Sequence, residues 1–297
     1  MSNQNRRSFL KKSMVGASAI AATPFWAKPS YGAGGHAADR VELGNTGVKA
    51  SRLAMGTGYR GSARSSDHTR MGQKRFNELV FRGYDAGVNF FDLADLYGTH
   101  PFVKKALKEI PRDDTFLLTK IWFREEDWNK PSGGATEEVN RYCKELGTDY
   151  LDSVLIHCVT DSNWTQDLEQ VRAELTQMKE DGKVRTIGVS CHDFGALEVA
   201  AEDPWTEVIF ARINNKGKVM DGPPEEVAKV LKTAKANGKA VVGMKIFGAG
   251  QLTQPEQKDS SLTYVFENNL IDAMTIGMRS TAEVDDTLTR IEKNYTG

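Results

Sequence analysis

Cysteine is scarce in this chain: Cys143, Cys158 and Cys191 are the only three in 297 residues. They are odd in number and have no CxxC spacing, so neither a disulfide framework nor a zinc site is indicated. The five histidines are scattered singly, with no HExxH, and no spacing among His100, His157 and His192 supports a metal site. An excess of one charge is missing as well. With 39 basic and 40 acidic residues the net charge is −1, so there is no basic stripe for nucleic acid and no acidic tail. No run reaches the ~20 strongly apolar residues of a membrane helix, so no stable membrane span is expected. What remains is ordinary: 39% apolar and 27% charged residues describe a globular protein.

The N-terminus departs from that background. MSNQNRRSFLKK carries Arg6, Arg7, Lys11 and Lys12, and SMVGASAIAATPFWA follows without a charge until Lys28. A basic head, a short mild apolar stretch and a small-residue region form the layout of an export signal. The adjacent arginines followed by Ser-Phe-Leu-Lys closely resemble the twin-arginine signal of bacterial export. Residues 1–38 are therefore assigned to a signal peptide and linker, with GHA before Ala38 fitting the small-x-small cleavage rule. This predicts the periplasm or cell envelope as location and the twin-arginine machinery as a partner. Residues 39–297 are left for the fold.

From Arg40 onward, apolar strand-like runs alternate with amphipathic helical stretches. LAMGTG (53–58), NFFDLA (89–94), TFLLTK (115–120), SVLIHC (153–158), RTIGVSC (185–191), VIFARI (208–213), AVVGMKIFG (240–248) and DAMTIGM (272–278) each precede a helix. The helix after AVVGMKIFG is a poor one near 261–268, behind a long polar loop. The strands are apolar throughout rather than alternating, as in a parallel sheet covered on both faces. Glycines at 87, 182 and 238 suit helix C-termini. Eight such units favour a closed (β/α)8 TIM barrel in a single domain over an open doubly wound sheet. Gly56, Gly58 and Gly61 in MGTGYRG match a dinucleotide fingerprint by spacing alone, with no helix following at once. They read as a tight strand-to-loop turn.

In a (β/α)8 barrel the chemistry sits where strands end. Asp92 follows Phe90 and Phe91 directly, where a carboxylate is costly unless something pairs with it. Tyr97 comes five residues later, Lys120 ends the third strand and His157 the fourth. Neighbouring strands thus aim an acid, a phenol, an amine and an imidazole at one point. A nearby ammonium stabilises phenolate and lowers the phenol's pKa, and an aspartate keeps that ammonium charged and directed. A neutral histidine can orient a carbonyl oxygen. The set is suited to giving a proton to a developing alkoxide while hydride arrives from elsewhere.

Through VELGNTGVKASRLAMGTG, NFFDLADLYG, ELGTDYLDSVLIHC and DGKVRTIGVS, from Val41 to Glu292, the chain resembles the aldo-keto reductases, NAD(P)-dependent (β/α)8 barrels. The resemblance implies Tyr97 as general acid, Lys120 and Asp92 as its tuning pair, and His157 as substrate orienter. It also implies a small carbonyl or alcohol substrate and a nicotinamide cofactor touched by Gly56, Thr57, Ser190, Arg212, Asn214, Lys245, Gly277, Arg279 and Glu283. The departures are specific. Cys191 stands where the family usually has Asn for the nicotinamide carboxamide, Arg212 or Asn214 where many have Gln, and Met244-Lys245 where many stack an aromatic. That last feature looks like a branch in which some members carry an iron–sulfur module. No cysteine follows Cys191, so the usual thiolates are missing here.

After the last strand, GMRSTAEVDD keeps Arg279 and Ser280 but sets Glu283, Asp285 and Asp286 around the place of an NADP 2′-phosphate. These acids also suit a helix N-terminus and Arg279 still offers a phosphate contact, so the expectation is NAD or dual use of NAD and NADP. His192 is placed to face the substrate, His100 is read as a surface histidine, and Asp95 as a turn cap. Trp122, Phe123 and Trp128 in the loop 121–134 either line an apolar substrate mouth or pack on the barrel rim. Two other readings stand beside a carbonyl reductase: a nucleotide-binding redox sensor or partner subunit, and an enzyme retaining NAD(P) for a redox-neutral reaction. Export favours the last, because nicotinamide cofactors are regenerated in the cytoplasm.

Overall fold

The computed structural model describes residues 35–123 and 134–296. Most of the expected export signal, and Trp128, lie outside the described residues. Two short strands, β1 (Arg40–Glu42) and β2 (Lys49–Ser51), form an antiparallel hairpin. Eight parallel strands then close a barrel: β3 (Leu53–Gly56), β4 (Phe90–Asp92), β5 (Phe116–Ile121), β6 (Leu151–Val159), β7 (Val184–Cys191), β8 (Val208–Arg212), β9 (Ala240–Met244) and β10 (Ala273–Gly277). They lie in chain order, and β10 pairs with β3 to complete the ring. The expected (β/α)8 TIM barrel is the observed fold.

The continuous apolar runs have the anticipated cause, since barrel strands are buried on both faces. One set of side chains fills the interior, including Ala54, Phe90, Leu118, Leu155, Phe210 and Val242. Phe90 and Phe116 meet there edge to face, with centroids 4.6 Å apart. The alternate set, such as Phe91, Leu117, Val154 and Val189, packs beneath the helices. The hairpin belongs to the interior set through Leu43, Val48 and Ala50 and plugs the N-terminal end. Its Gly44 lies so close to the Gly238–Ala240 backbone that no Cβ would fit. Nothing in the apolar pattern predicted this plug, because two three-residue strands are too short to show a period.

Glycines 87, 182 and 238 follow their helices with φ of 93°, 72° and 76°, the left-handed geometry of a helix end. The helix expected near 261–268 is longer, Pro255–Glu267. Its first turns are polar and at most half-buried, so they carry no apolar period, but Pro255 at the first position and a Gln254–Gln257 capping box fix the start. Gly35–Ala38, the end of the expected linker, pack on the barrel: Ala37 is fully buried, and His36 N–H donates to Glu292 Oε2 at 2.9 Å. No helix among the described residues is long and apolar enough to cross a membrane.

Candidate active site

Asp92 ends β4 in register with Gly56 on β3 and Leu118 on β5, which turns its carboxylate into the C-terminal mouth of the barrel. It is 5% exposed, and two groups offset its desolvation. Lys120, 1% exposed, donates its ammonium to Asp92 Oδ1 and, at 2.8 Å, to the Leu93 carbonyl. Thr275 on β10 donates its hydroxyl to Asp92 Oδ2 at 2.7 Å. The lysine partner was legible in the sequence. The threonine was not, although it stands on the inward row of β10, two residues before Gly277.

Tyr97 closes a single 3-10 turn, Asp95–Tyr97, and is followed by Gly98 at φ 69°. A Cβ at Gly98 would strike the Arg64 carbonyl, so the chain can turn there only as glycine. Gly58 and Gly61 leave room for the phenol ring, since a Cβ at either would overlap it. Their spacing therefore serves the tyrosine rather than a dinucleotide fingerprint. Tyr97 Oη lies 3.4 Å from His157 Nε2, and the two rings stand edge to face. The Lys120 ammonium is 5.1 Å from the Tyr97 ring centroid and 4.9 Å from that of Phe210. The four strand-end residues thus meet at one point.

Their ionisation differs in one respect from the expectation. Burial holds Tyr97 well above the usual phenol value, and the Asp92 charge adds to this. The lysine was expected to lower it; desolvation of the phenolate and the intervening carboxylate prevail. Burial lowers Lys120 while Asp92 opposes the shift. Burial, then the Lys120, His192 and Lys245 charges, push His157 well below the usual imidazole value. The site at neutral pH therefore holds a protonated phenol beside a neutral imidazole, whose Nδ1 has no partner among the described residues.

A groove of about 550 Å³ runs from this cluster between the loops after β9 and β10. Among its walls are Gly56, Lys245, Gly277, Arg279 and Glu283. Lys245 stands at φ 60°, a left-handed non-glycine position, with its ammonium value lowered mainly by burial. Ser190 is buried on the inward row of β7, in register with Phe210, and its hydroxyl has no partner among the described residues. Such an orphaned donor suits a ligand amide.

Three expected contacts are engaged with protein instead. Thr57 Oγ1 bonds the Asp92 carbonyl and Thr99. Arg212 is paired with Asp221 through two nitrogens. The Asn214 amide donates to the Lys218 and Lys245 carbonyls and accepts from the Lys216 and Lys218 N–H groups. It clamps the loop that carries Lys245. Cys191 points away from the barrel axis toward the Ala196 carbonyl.

His100 is not a surface residue: it is 1% exposed and bonds Glu145 and Thr119 through its two nitrogens. Asp95 does more than cap a turn, since Arg64 and Arg141 pair with its buried carboxylate. Asp95, His100 and Glu145 lie close enough to share a metal ion. Arg64 and Arg141 also reach Glu145, and these guanidiniums supply the positive charge there. Trp122 is buried edge-on against His157, with centroids 5.4 Å apart.

The acids after β10 divide. Asp285 pairs with Arg82 outside the groove. Glu283 accepts the Arg279 backbone N–H at 2.8 Å and pairs with its guanidinium at 3.3 Å. Lys258, another cation lining the groove, lies 3.5 Å from Asp286, and Arg60 pairs with Asp67.

The chain is similar to known proteins in sequence and in fold. The aldo/keto reductase family profile matches residues 52–296. An L-galactose dehydrogenase of Arabidopsis thaliana is 23% identical over 84% of this chain and 86% of its own length. An NADH-specific methylglyoxal reductase of Escherichia coli is 23% identical over 61% of each chain. An aldo/keto reductase of Klebsiella pneumoniae, solved with NADP and acetate, aligns with TM-score 0.64 at 15% identity, over 87% of this chain and 92% of that one.

Proposed function

Because the chain belongs to the aldo/keto reductase family, whose members are NAD(P)-dependent oxidoreductases, we propose that it reduces a small carbonyl compound with Tyr97 as the proton donor. The observation that carries this is the convergence of Asp92, Tyr97 and Lys120 at one end of the groove, with His157 against the Tyr97 hydroxyl. Tyr97 is fully protonated at neutral pH and donates to the carbonyl oxygen as negative charge develops there. His157, neutral and 3.4 Å from the phenol, orients that oxygen. Lys120 stabilises the phenolate left behind, and Asp92 with Thr275 fixes the lysine's position. The reverse reaction uses the same groups.

The groove fits a nicotinamide dinucleotide, which supplies or accepts the hydride when bound. Gly56 and Gly277 give close backbone approach, Lys245 and Arg279 offer positive charge, and Ser190, beside Phe210 of the groove wall, offers a hydroxyl with no partner among the described residues. The preference we infer is for NAD(H). A helix N-terminus such as that at Thr281 attracts phosphate, but the Glu283 carboxylate already occupies Arg279, and Asp286 faces Lys258. Fluorescence titration with NADH and NADPH tests both parts. Tighter NADH binding, with oxidation of the bound nucleotide by small aldehydes, supports the reading, and binding of neither nucleotide refutes it.

We also propose export by the twin-arginine route. Its support is the sequence around Arg6 and Arg7. Replacing both arginines with lysine should retain the protein in the cytoplasm on cell fractionation, and unchanged export of that variant would refute the route.

A further inference from the structure

Successive side chains of a regular strand point to opposite faces, so His157 and Cys158 should lie on opposite sides of the barrel wall. They do not, because β6 carries an extra residue. Ile156 pairs with Val189 but Val159 pairs with Cys191, three steps against two, and Cys158 takes up the difference at φ 63°. A bulge of this kind re-aims a side chain, and strained non-glycine residues cluster at functional sites. Here the bulge brings Cys158 Sγ to 2.7 Å from His192 Nδ1. His192 is itself fixed by its backbone N–H, which donates to the Val159 carbonyl at 2.8 Å, and its ring lies edge-on to His157 at 6.4 Å.

The thiol therefore sits beside the proton-donating end of the site. Tyr97 and Lys245 both lie within electrostatic reach of its sulfur. An imidazole at hydrogen-bonding distance is what turns a thiol into a nucleophile, and Cys158 is partly exposed. The other two cysteines are the opposite case: both are buried, and burial raises their thiols.

We propose that Cys158, activated by His192, is a nucleophilic modification site for α,β-unsaturated carbonyl compounds. His192 Nδ1 takes the thiol proton, and Sγ bonds to the β-carbon. The C=C electrons pass to the carbonyl as an enolate, and the proton returns from His192 to the α-carbon. Nothing leaves and nothing is oxidised, so no further reactant is needed. The ligand class rests on the carbonyl-reduction reading, whereas the activation of the thiol does not.

The test uses the full chain, treated at neutral pH with methyl vinyl ketone or, separately, iodoacetamide, and mapped by peptide mass spectrometry. Both reagents should modify Cys158 at least about tenfold faster than Cys143 or Cys191, and the preference should vanish in urea. His192→Gln should slow modification at Cys158 about tenfold, with His192→Asn as a second variant and near-UV circular dichroism as the check on folding. Equal rates at the three native cysteines, or a rate indifferent to both His192 variants, would overturn the activated thiol. Selective labelling by iodoacetamide but not by the ketone would overturn the ligand class alone. Failure of carbonyl reduction would appear separately, as absent NADH oxidation, with the iodoacetamide result unchanged.

Discussion

Replacing Lys120 with methionine isolates the energetics on which the site depends. The substitution keeps the length and apolar volume of the side chain but removes the ammonium. Among the described residues, Asp92 then keeps only the Thr275 hydroxyl as a side-chain donor to its carboxylate, at 5% exposure. Breaking a buried ion pair by removing one partner costs about 3–5 kcal/mol, because the remaining charge stays desolvated and uncompensated. For a domain of this size that corresponds to a fall in Tm of roughly 6–20 °C. Removing both charges together, as Asp92→Asn with Lys120→Met, should bring stability back to within about 1 kcal/mol of the parent. Thermal unfolding followed by circular dichroism on the four proteins of the cycle measures the coupling. If Lys120→Met alone costs less than about 1 kcal/mol, or if the double variant is the least stable, the pair is not the compensated buried unit described above.

Four further outcomes are expected. Gly58→Ala places a methyl group where the Tyr97 ring stands, so kcat should fall about 100-fold while circular dichroism stays unchanged; full activity would show that the ring can move without cost. Burial depresses His157 and His68 in the folded state, so below about pH 6.5 the unfolded chain binds more protons. Stability should therefore fall as pH drops from 7 toward 5, by up to about 1.4 kcal/mol per pH unit for each histidine. His157→Gln should flatten that slope in a series of melting curves. Glu283→Gln frees Arg279 and should tighten NADPH binding about tenfold with little effect on NADH, as read by titration at low salt.

Much of this was readable from residues alone, and the reasons are particular. Eight apolar runs spaced by amphipathic helices carry a strong signal, because each is long compared with its period. The pairing of Asp92 with Lys120 could be inferred because a carboxylate behind Phe90 and Phe91 demands a cation, and the neighbouring strand ends in one. The sequence did not reveal groups satisfied across the ring or within loops. Thr275 reaches Asp92 only because β10 closes onto β3. Asn214 looked like a cofactor contact by position, but its amide is consumed by its own loop. His100 looked exposed because it starts a helix, yet its partner Glu145 comes from a helix 45 residues away. The sign of the Tyr97 shift was also missed, since proximity to an ammonium is visible in a motif and the cost of desolvation is not. The bulge at Cys158 leaves no local mark, because it is set by the register against β7.

The most direct test of the central claim is single-turnover oxidation of bound NADH by a small aldehyde, comparing the parent protein with Tyr97→Phe. The account predicts nearly unchanged NADH affinity and a rate lower by at least about 100-fold, since only the proton donor is lost. A Tyr97→Phe protein that binds NADH and reduces the aldehyde at the parental rate would contradict it.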